Sequence, residues 1–256
     1  MTRRPGLGIG GGIVIVLFAL YFFAPLVSLA VASMWQGGNR YDLSAYGGVV
    51  REENFIASFK LSLMLAVETI ALTLAVVFPA VFWVNLRAQH LRAFFNVLSV
   101  IAFIVPPIVL VSGISGLYRG PEWFVGTPHF LVVGYTVLAI PYTYRTLDNG
   151  MRALNLQTLS EAAQSCGAGW GTLIRRIILP NVRGAVLGAV LLILTLALGE
   201  FTFANVLLYQ TLPVYMSYIA STRANESSAL AIMALLFTWL AMYILLNVES
   251  RAARKA

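Results

Sequence analysis

From Ile13 to Met34 the chain carries no charged residue, and comparable apolar runs recur from about Ala57 to Leu86, Phe95 to Tyr118, Phe130 to Tyr144, Ala185 to Tyr209 and Ala229 to Val248. No other feature constrains the fold as strongly. About 20 apolar residues in helical form cross a bilayer. Inside lipid every backbone polar group must be satisfied by the chain itself, which leaves helices or a closed barrel. Runs this long without polar alternation select helices. The expectation is an all-α integral membrane bundle of six transmembrane helices, forming a single transmembrane domain over residues 1–256.

Composition agrees, with 59% hydrophobic and 11% charged residues against about 45–50% and about 25% in soluble domains. The net charge of +7 does not indicate nucleic-acid binding. Its basic residues sit in short clusters at the ends of apolar runs, where they act as topology determinants, and no soluble segment is long enough for a basic domain. The head Met1-Thr2-Arg3-Arg4-Pro5, with Ala30-Val31-Ala32 further on, also has elements of a cleaved signal peptide. The run is longer than the usual signal core of about 7–15 residues, which favours an uncleaved first span.

With both termini inside, the inner segments collect Arg3, Arg4, Arg87, Arg92, Arg145, Arg152, Arg175, Arg176, Arg183, Arg251, Arg254 and Lys255, and the outer ones hold Arg40, Arg51, Lys60, Arg119 and Arg223. That asymmetry follows the positive-inside rule and places the loop of residues 145–183 in the cytoplasm. Pro106-Pro107 interrupts the third run and Pro141 the fourth. The proline pair removes two backbone donors and predicts a bend, read as a structural kink in preference to a gating hinge.

The polar interruption between the fourth and fifth runs has the punctuation of a shaped element. Thr158-Leu159-Ser160-Glu161 fits a capping box, predicting a helix that starts at Thr158. Ala162 and Ala163 favour helix and permit close approach by another surface. Gly167 supplies the positive φ of a helix end. From Thr172 a second helical stretch sets Leu173, Ile174, Ile177 and Ile178 opposite Arg175 and Arg176, and Pro180 is expected to stop it. Two short helices at an elbow are predicted. On these residues alone, a docking element and an amphipathic linker resting on headgroups are equally open.

Glu161-Ala162-Ala163, three residues, Gly167, then nine residues to Ile177-Ile178-Leu179-Pro180 resembles the EAA loop of permease subunits of binding-protein-dependent ABC importers. Ile140-Pro141-Tyr142, Gly199-Glu200-Phe201 and Thr211-Leu212-Pro213-Val214 are similar to the polyamine and ferric-iron branch. The resemblance implies a six-span type I importer fold in a bacterial inner membrane. It implies a coupling helix seated on an ATPase subunit, with Glu161, Ala162, Ala163, Gly167, Ala168, Leu179 and Pro180 as coupling residues. It further implies two ATP-binding cassette subunits holding ATP and Mg, a second homologous permease and an extracytoplasmic solute-binding protein. A polyamine-like solute is favoured. The loop departs from the family's commonest pattern at Cys166, Gly169 and Ile174. Cys166 is expected to be a small buried contact residue.

Carboxylates within spans are expensive and should face the bundle interior or a wet cavity. Glu200 lies about 22 Å along its helix and Glu68 about 17 Å along its own. With Phe201 they are candidate pathway residues. For Glu68 a structural role is preferred, and for Glu200 pathway and structural roles are equally open. The outer segments hold five acidic and five basic residues, so they give no electrostatic hint of the cargo.

A single cysteine excludes an intrachain disulfide and a multi-cysteine metal site. His90 reads as a cytoplasmic loop residue and His129 as an outer-interface residue, too far apart in sequence to suggest metal chemistry. No phosphate-binding Gly-x-x-x-x-Gly-Lys-Ser/Thr loop is present, so the chain binds no cofactor of its own and needs a partner ATPase. No nucleophile and base gather as in a hydrolase, and an enzymatic role is not expected. The alternative is a secondary carrier or channel without an ATPase, which predicts inverted repeats and no capped cytoplasmic elbow.

Overall fold

The computed structural model describes residues 9–117 and 120–254. Arg3, Arg4, Arg119 and Lys255 lie outside the described residues, as do the side chains of Arg251 and Arg254. In chain order the helices are α1 (Ile9–Met34), α2 (Ser44–Arg51), α3 (Glu53–Leu86), α4 (Arg92–Ile104), α5 (Pro107–Leu117), α6 (Glu122–Val125) and α7 (Phe130–Arg152). They continue as α8 (Leu156–Ser165), α9 (Trp170–Thr172), α10 (Leu179–Asn181), α11 (Arg183–Gly199), α12 (Thr202–Val206), α13 (Leu212–Ala220) and α14 (Ala224–Arg254). A π-helical turn, Leu173–Ile178, links α9 to α10.

Among the described residues, four stretches are helical, long and apolar enough to cross a membrane: Gly10–Met34, Glu53–Leu86, Arg183–Val206 and Ala224–Ile244. They correspond to the first, second, fifth and sixth expected spans. The third is not a kinked helix but two helices. α4 ends at Ile104, Val105 is extended (φ −72°, ψ 118°), and Pro107 opens α5, a position where its missing N–H has no helical partner to lose. The fourth continues to Arg152, so Arg145 and Asp148 lie in a helix where a loop was expected. The fifth breaks after Gly199 and resumes at Thr202.

The chain divides into two compact units, Met1–Ile56 with Met216–Phe237 and Ala57–Tyr215 with Thr238–Ala256. In the first, none of the apolar window of α1 is buried. A tight reversal on Gly37 and Gly38 (φ +97° and +59°) joins it to α2. The Asp42 carboxylate accepts from the Ser44 hydroxyl at 2.5 Å and the Ser44 amide at 2.9 Å, which holds its carboxyl below the usual range. Arg223 pairs with Glu52 and, at 2.8 Å, with Glu226.

The second unit is organised around α7, which packs on α11, α4, α5 and α12. Its inward face carries Tyr135, Tyr144, Leu147 and Met151, all nearly inaccessible. Some polar side chains in this interior find partners within the unit: Thr69 donates to the Leu65 carbonyl at 2.7 Å and Ser62 accepts from the Leu212 amide at 2.7 Å. Gly150 sets the approach of α7 to α11, because a methyl group there would fall on the Cβ of Ala185. Small residues at such contacts let backbones close up. Gly150→Val is therefore expected to destabilise by about 1–3 kcal/mol through overpacking, read as a lowered melting temperature of the purified chain; an unchanged value would show that the two helices separate freely.

Candidate functional site

At the end of the second unit where α7 finishes, α8 begins at Leu156, two residues earlier than the capping box predicted. Asn155 is the N-cap, its Oδ1 accepting from the Thr158 amide over a long 3.5 Å. Thr158 is inside the helix, so Glu161 does not close a box. Its Oε1 instead accepts from Gln157 Nε2 at 3.1 Å, one turn earlier on the exposed face. Leu156, Ser160 and Ala163 form the buried stripe of α8 at four- and three-residue spacing.

Gly167 ends α8 with φ +80°. Its amide donates to the Gln164 carbonyl at 2.9 Å and the Ala168 amide to the Ala163 carbonyl at 3.0 Å, the paired bonds of a Schellman motif. The expected elbow is present. Cys166 departs from expectation. It is the C-cap and exposed, because the buried stripe ends with the helix before reaching it.

Beyond the elbow, Leu173 and Ile178 are fully buried, while Ile174 and Ile177 pack partly against the same core and Arg175 and Arg176 face outward. The amphipathic pattern was read correctly. Pro180 does not stop the stretch, however. It sits in the single turn of α10, and the amide of Val182 still reaches the Ile178 carbonyl at 3.0 Å. The missing proline N–H leaves carbonyls of the preceding turn without a donor, and that turn is the wide π one. Asn181 Nδ2 donates to the Ile177 carbonyl at 2.7 Å.

The core that seats this element joins Val77, Val81 and Phe82 of α3 to Leu147 and Met151 of α7, and both to Ala163, Leu173 and Ile178. Trp170 meets the Phe82 ring edge-on at 6.5 Å. Of the predicted coupling residues, Glu161, Ala162, Gly167, Leu179 and Pro180 are exposed, Ala168 is half-buried, and Ala163 is turned into the core. The result is a helix bolted on one side and bare on the other.

A second site forms where the two broken helices meet. Val105 and Pro107, from the break between α4 and α5, share a cavity of about 440 Å³ with Gly199, Glu200 and Phe201, from the break between α11 and α12, and with Pro141 and Tyr142 of α7. Phe103 and Tyr142 stand with ring centroids 4.7 Å apart on its wall. Glu200 is 8% exposed. Its carboxylate accepts from the amides of Thr202 at 2.8 Å and Phe203 at 3.0 Å, satisfying donors that the first turn of α12 cannot pair. Phe201 is more than a third exposed beside it. Glu68 is not part of this cavity; it is hydrogen-bonded to His129 Nδ1 at 2.8 Å.

One cluster was missed in the sequence. Asp148 is 3% exposed; its Oδ1 accepts from Asn85 Nδ2 at 2.8 Å and its Oδ2 faces Arg152 Nη2 at 2.7 Å. Arg92 Nη2 donates to Asn85 Oδ1 at 2.7 Å. The signal was present as an acid and a base four residues apart between Leu147 and Met151, but it reads as ordinary loop charge if the helix is ended at Tyr144.

A helical membrane bundle, broken twice around one cavity and carrying an elbowed pair of short helices at one end, is the architecture of a multi-pass transport permease. Residues 75–254 match the model of the binding-protein-dependent transport system inner membrane component family. The chain belongs to that family, the permeases of ABC importers.

Among curated proteins it is similar to chloroplastic sulfate permease 2 of Chlamydomonas reinhardtii, 29% identical over 61% of this chain and 45% of that one. It is also similar to the probable ABC transporter permease protein y4fN of Sinorhizobium fredii (strain NBRC 101917 / NGR234), 24% identical over 66% of this chain and 30% of the other. The chain thus spans less than half the length of these curated relatives. Among solved structures it matches a bacterial alginate ABC transporter in complex with an alginate pentasaccharide-bound periplasmic protein, with TM-score 0.66, 17% identity and coverage of 94% of this chain and 91% of that one. A bacterial ABC transporter involved in import of the acidic polysaccharide alginate matches at TM-score 0.62 and 17% identity over 98% and 99% of the two chains. At this identity the likeness is one of fold.

Proposed function

We propose that the chain is one permease subunit of an ATP-driven importer in a bacterial inner membrane, with both termini and α8 on the cytoplasmic side. One six-span chain supplies half a pathway, so a second, homologous permease completes it. The bare apolar length of α1 has that subunit or lipid as its neighbour. Two ATP-binding cassette subunits carry ATP and Mg, and a solute-binding protein delivers cargo from outside. When the ATPases close, α8 moves with them, and the core beneath it passes the displacement to α3, α7 and α11. The pathway then alternates between outward and inward access around the cavity at Glu200 and Phe201.

The observation that carries this reading is the two-sidedness of α8. Ser160 and Ala163 are fixed in the core, while Glu161 and Ala162 present a short acid and a methyl group outward. A polyamine-like solute is the favoured cargo, supported by the motif segments around Pro141, Glu200 and Pro213. Family membership speaks against a carrier or channel without an ATPase.

Affinity purification of the tagged full chain from its own membranes tests the coupling. A P-loop ATPase is expected to accompany it. Ala162→Trp, which blocks close approach without touching the core, is expected to reduce ATPase recovery at least about tenfold, the equivalent of about 1.4 kcal/mol. Undiminished recovery with the tryptophan in place would remove α8 from the interface.

A further inference from the structure

The helix that follows the break at Glu200, α12, is five residues long. A helix so short pairs few of its amides and carbonyls internally, so outside contacts decide where it lies. It is also loosened at both ends: α11 stops at Gly199 before it, and Leu208 behind it holds φ +60°. Its buried residues are Phe203 and Ala204. The Phe203 ring, 2% exposed, lies so close to Gly134 of α7 that a methyl group there would fall 2.1 Å from its Cε1, 2.5 Å from its Cδ1 and 2.9 Å from its Cζ. Tyr135 stands edge-on to the same ring, with centroids 6.1 Å apart. Gly134 lies inside a continuous helix and has no positive φ. Its backbone has no need of glycine, and alanine is the better helix former; what the missing side chain serves is the ring.

The backbone of Phe203 carries the connection further. Its amide donates to both oxygens of Glu200, at 3.2 and 3.0 Å, and Glu200 and Phe201 line the cavity of about 440 Å³ between the two broken helices. Gly134 does not line that cavity. We infer that Gly134 is a positioning residue for it: the Phe203 ring seated on Gly134 pins α12 to α7 and, through the Phe203 amide, sets the pose in which Glu200 and Phe201 meet a passing solute. The inference rests on the pathway role proposed above for the cavity.

The test uses the purified full chain in detergent and two readouts. The first is the melting temperature, which Gly134→Ala is expected to lower by about 2–8 °C through overpacking. Phe203→Val removes every ring atom that the methyl group meets. It is expected to lower the melting temperature of the parent and to raise that of Gly134→Ala. The second readout is the rate at which a small charged methanethiosulfonate reagent modifies a thiol placed on the cavity wall by Phe201→Cys, in a Cys166→Ser background that removes the one natural thiol. Gly134→Ala and Phe203→Val are each expected to change this rate by at least about threefold, because thiol modification follows access. Together they should bring it back towards the parent value. Should Gly134→Ala fail to fold, Phe203→Val alone still empties the seat, and an unchanged rate there overturns the inference. Equal rates in the parent and both single variants overturn it as well, as does a double variant no more stable than Gly134→Ala. Neither readout needs cargo or an ATPase, so these failures leave the importer reading standing. A thiol that the reagent reaches in no variant is a different result: the cavity is then closed to water, and the pathway role falls together with the positioning role.

Discussion

Gly167→Val is expected to lower ATP-driven uptake by at least about tenfold while the chain still inserts and folds. The backbone at this position sits at φ +80°, a region that costs an L-residue about 1–2 kcal/mol and a β-branched one more. No atom lies within 4 Å of a Cβ placed there, so the defect is conformational and not a clash. Its consequence is local: the paired bonds from Gly167 and Ala168 back into α8 are lost, and the angle between α8 and α9 is no longer fixed. A melting-temperature loss of about 2–8 °C should accompany it. Gly167→Asn should be milder, because asparagine tolerates the left-handed region. The measurement is uptake and ATP turnover in vesicles reconstituted with the ATPase and binding protein. Wild-type uptake by the valine variant would mean the elbow angle is not used in coupling.

Glu200→Ala has the largest expected effect on stability. Removing the carboxylate takes the acceptor from the Thr202 and Phe203 amides, at about 1–3 kcal/mol for each donor left unpaired. A fall in melting temperature of more than about 5 °C follows. Glu200→Gln keeps one acceptor oxygen and loses the charge, so it should fold with a smaller penalty and separate the two roles of this residue. Reduced uptake at near-normal stability is expected if the carboxylate faces the solute route. Unchanged uptake and ATP turnover in Glu200→Gln would sink the pathway role and leave the backbone cap as its whole purpose.

Much of this arrangement was legible in the sequence where the relevant physics is local. Apolar length announced the first, second, fifth and sixth runs as membrane-length helices, three- and four-residue spacing announced the buried face from Leu173 to Ile178, and Gly167 announced its own positive φ. The failures share a cause, which is competition decided by distant packing. Thr158 was a good cap by type, but the helix reaches back to Asn155 because Leu156 is drawn into the core with Leu147 and Met151. Pro180 was a good stop by type, yet the chain runs from the widened turn through α10 and, after a bend at Val182, into α11. Pro106-Pro107 and Glu200 each signalled a break. That the two breaks lie on one cavity depends on how α5 meets α12, which no spacing encodes. Asp148 was hidden because a boundary placed at Tyr144 turned a buried pair into loop charge. Of the three segments similar to the polyamine and ferric-iron branch, those at Pro141 and Glu200 line the cavity, and Leu212 starts α13 with its amide donating to Ser62.

The central position of α7 also bears on how the protein is made. It is the helix around which the second unit packs, yet it is not among those apolar enough to cross a membrane by themselves, because Thr136, Thr143 and Asp148 all point inward. Polar groups on a lone helix are costly in lipid and become tolerable only once neighbours cover them. The helix it packs on most, α11, is translated later. α7 therefore depends on α11 for much of the cover that its inward polar face needs. The cover for the middle of this unit thus comes from a segment later in the chain than the one it covers.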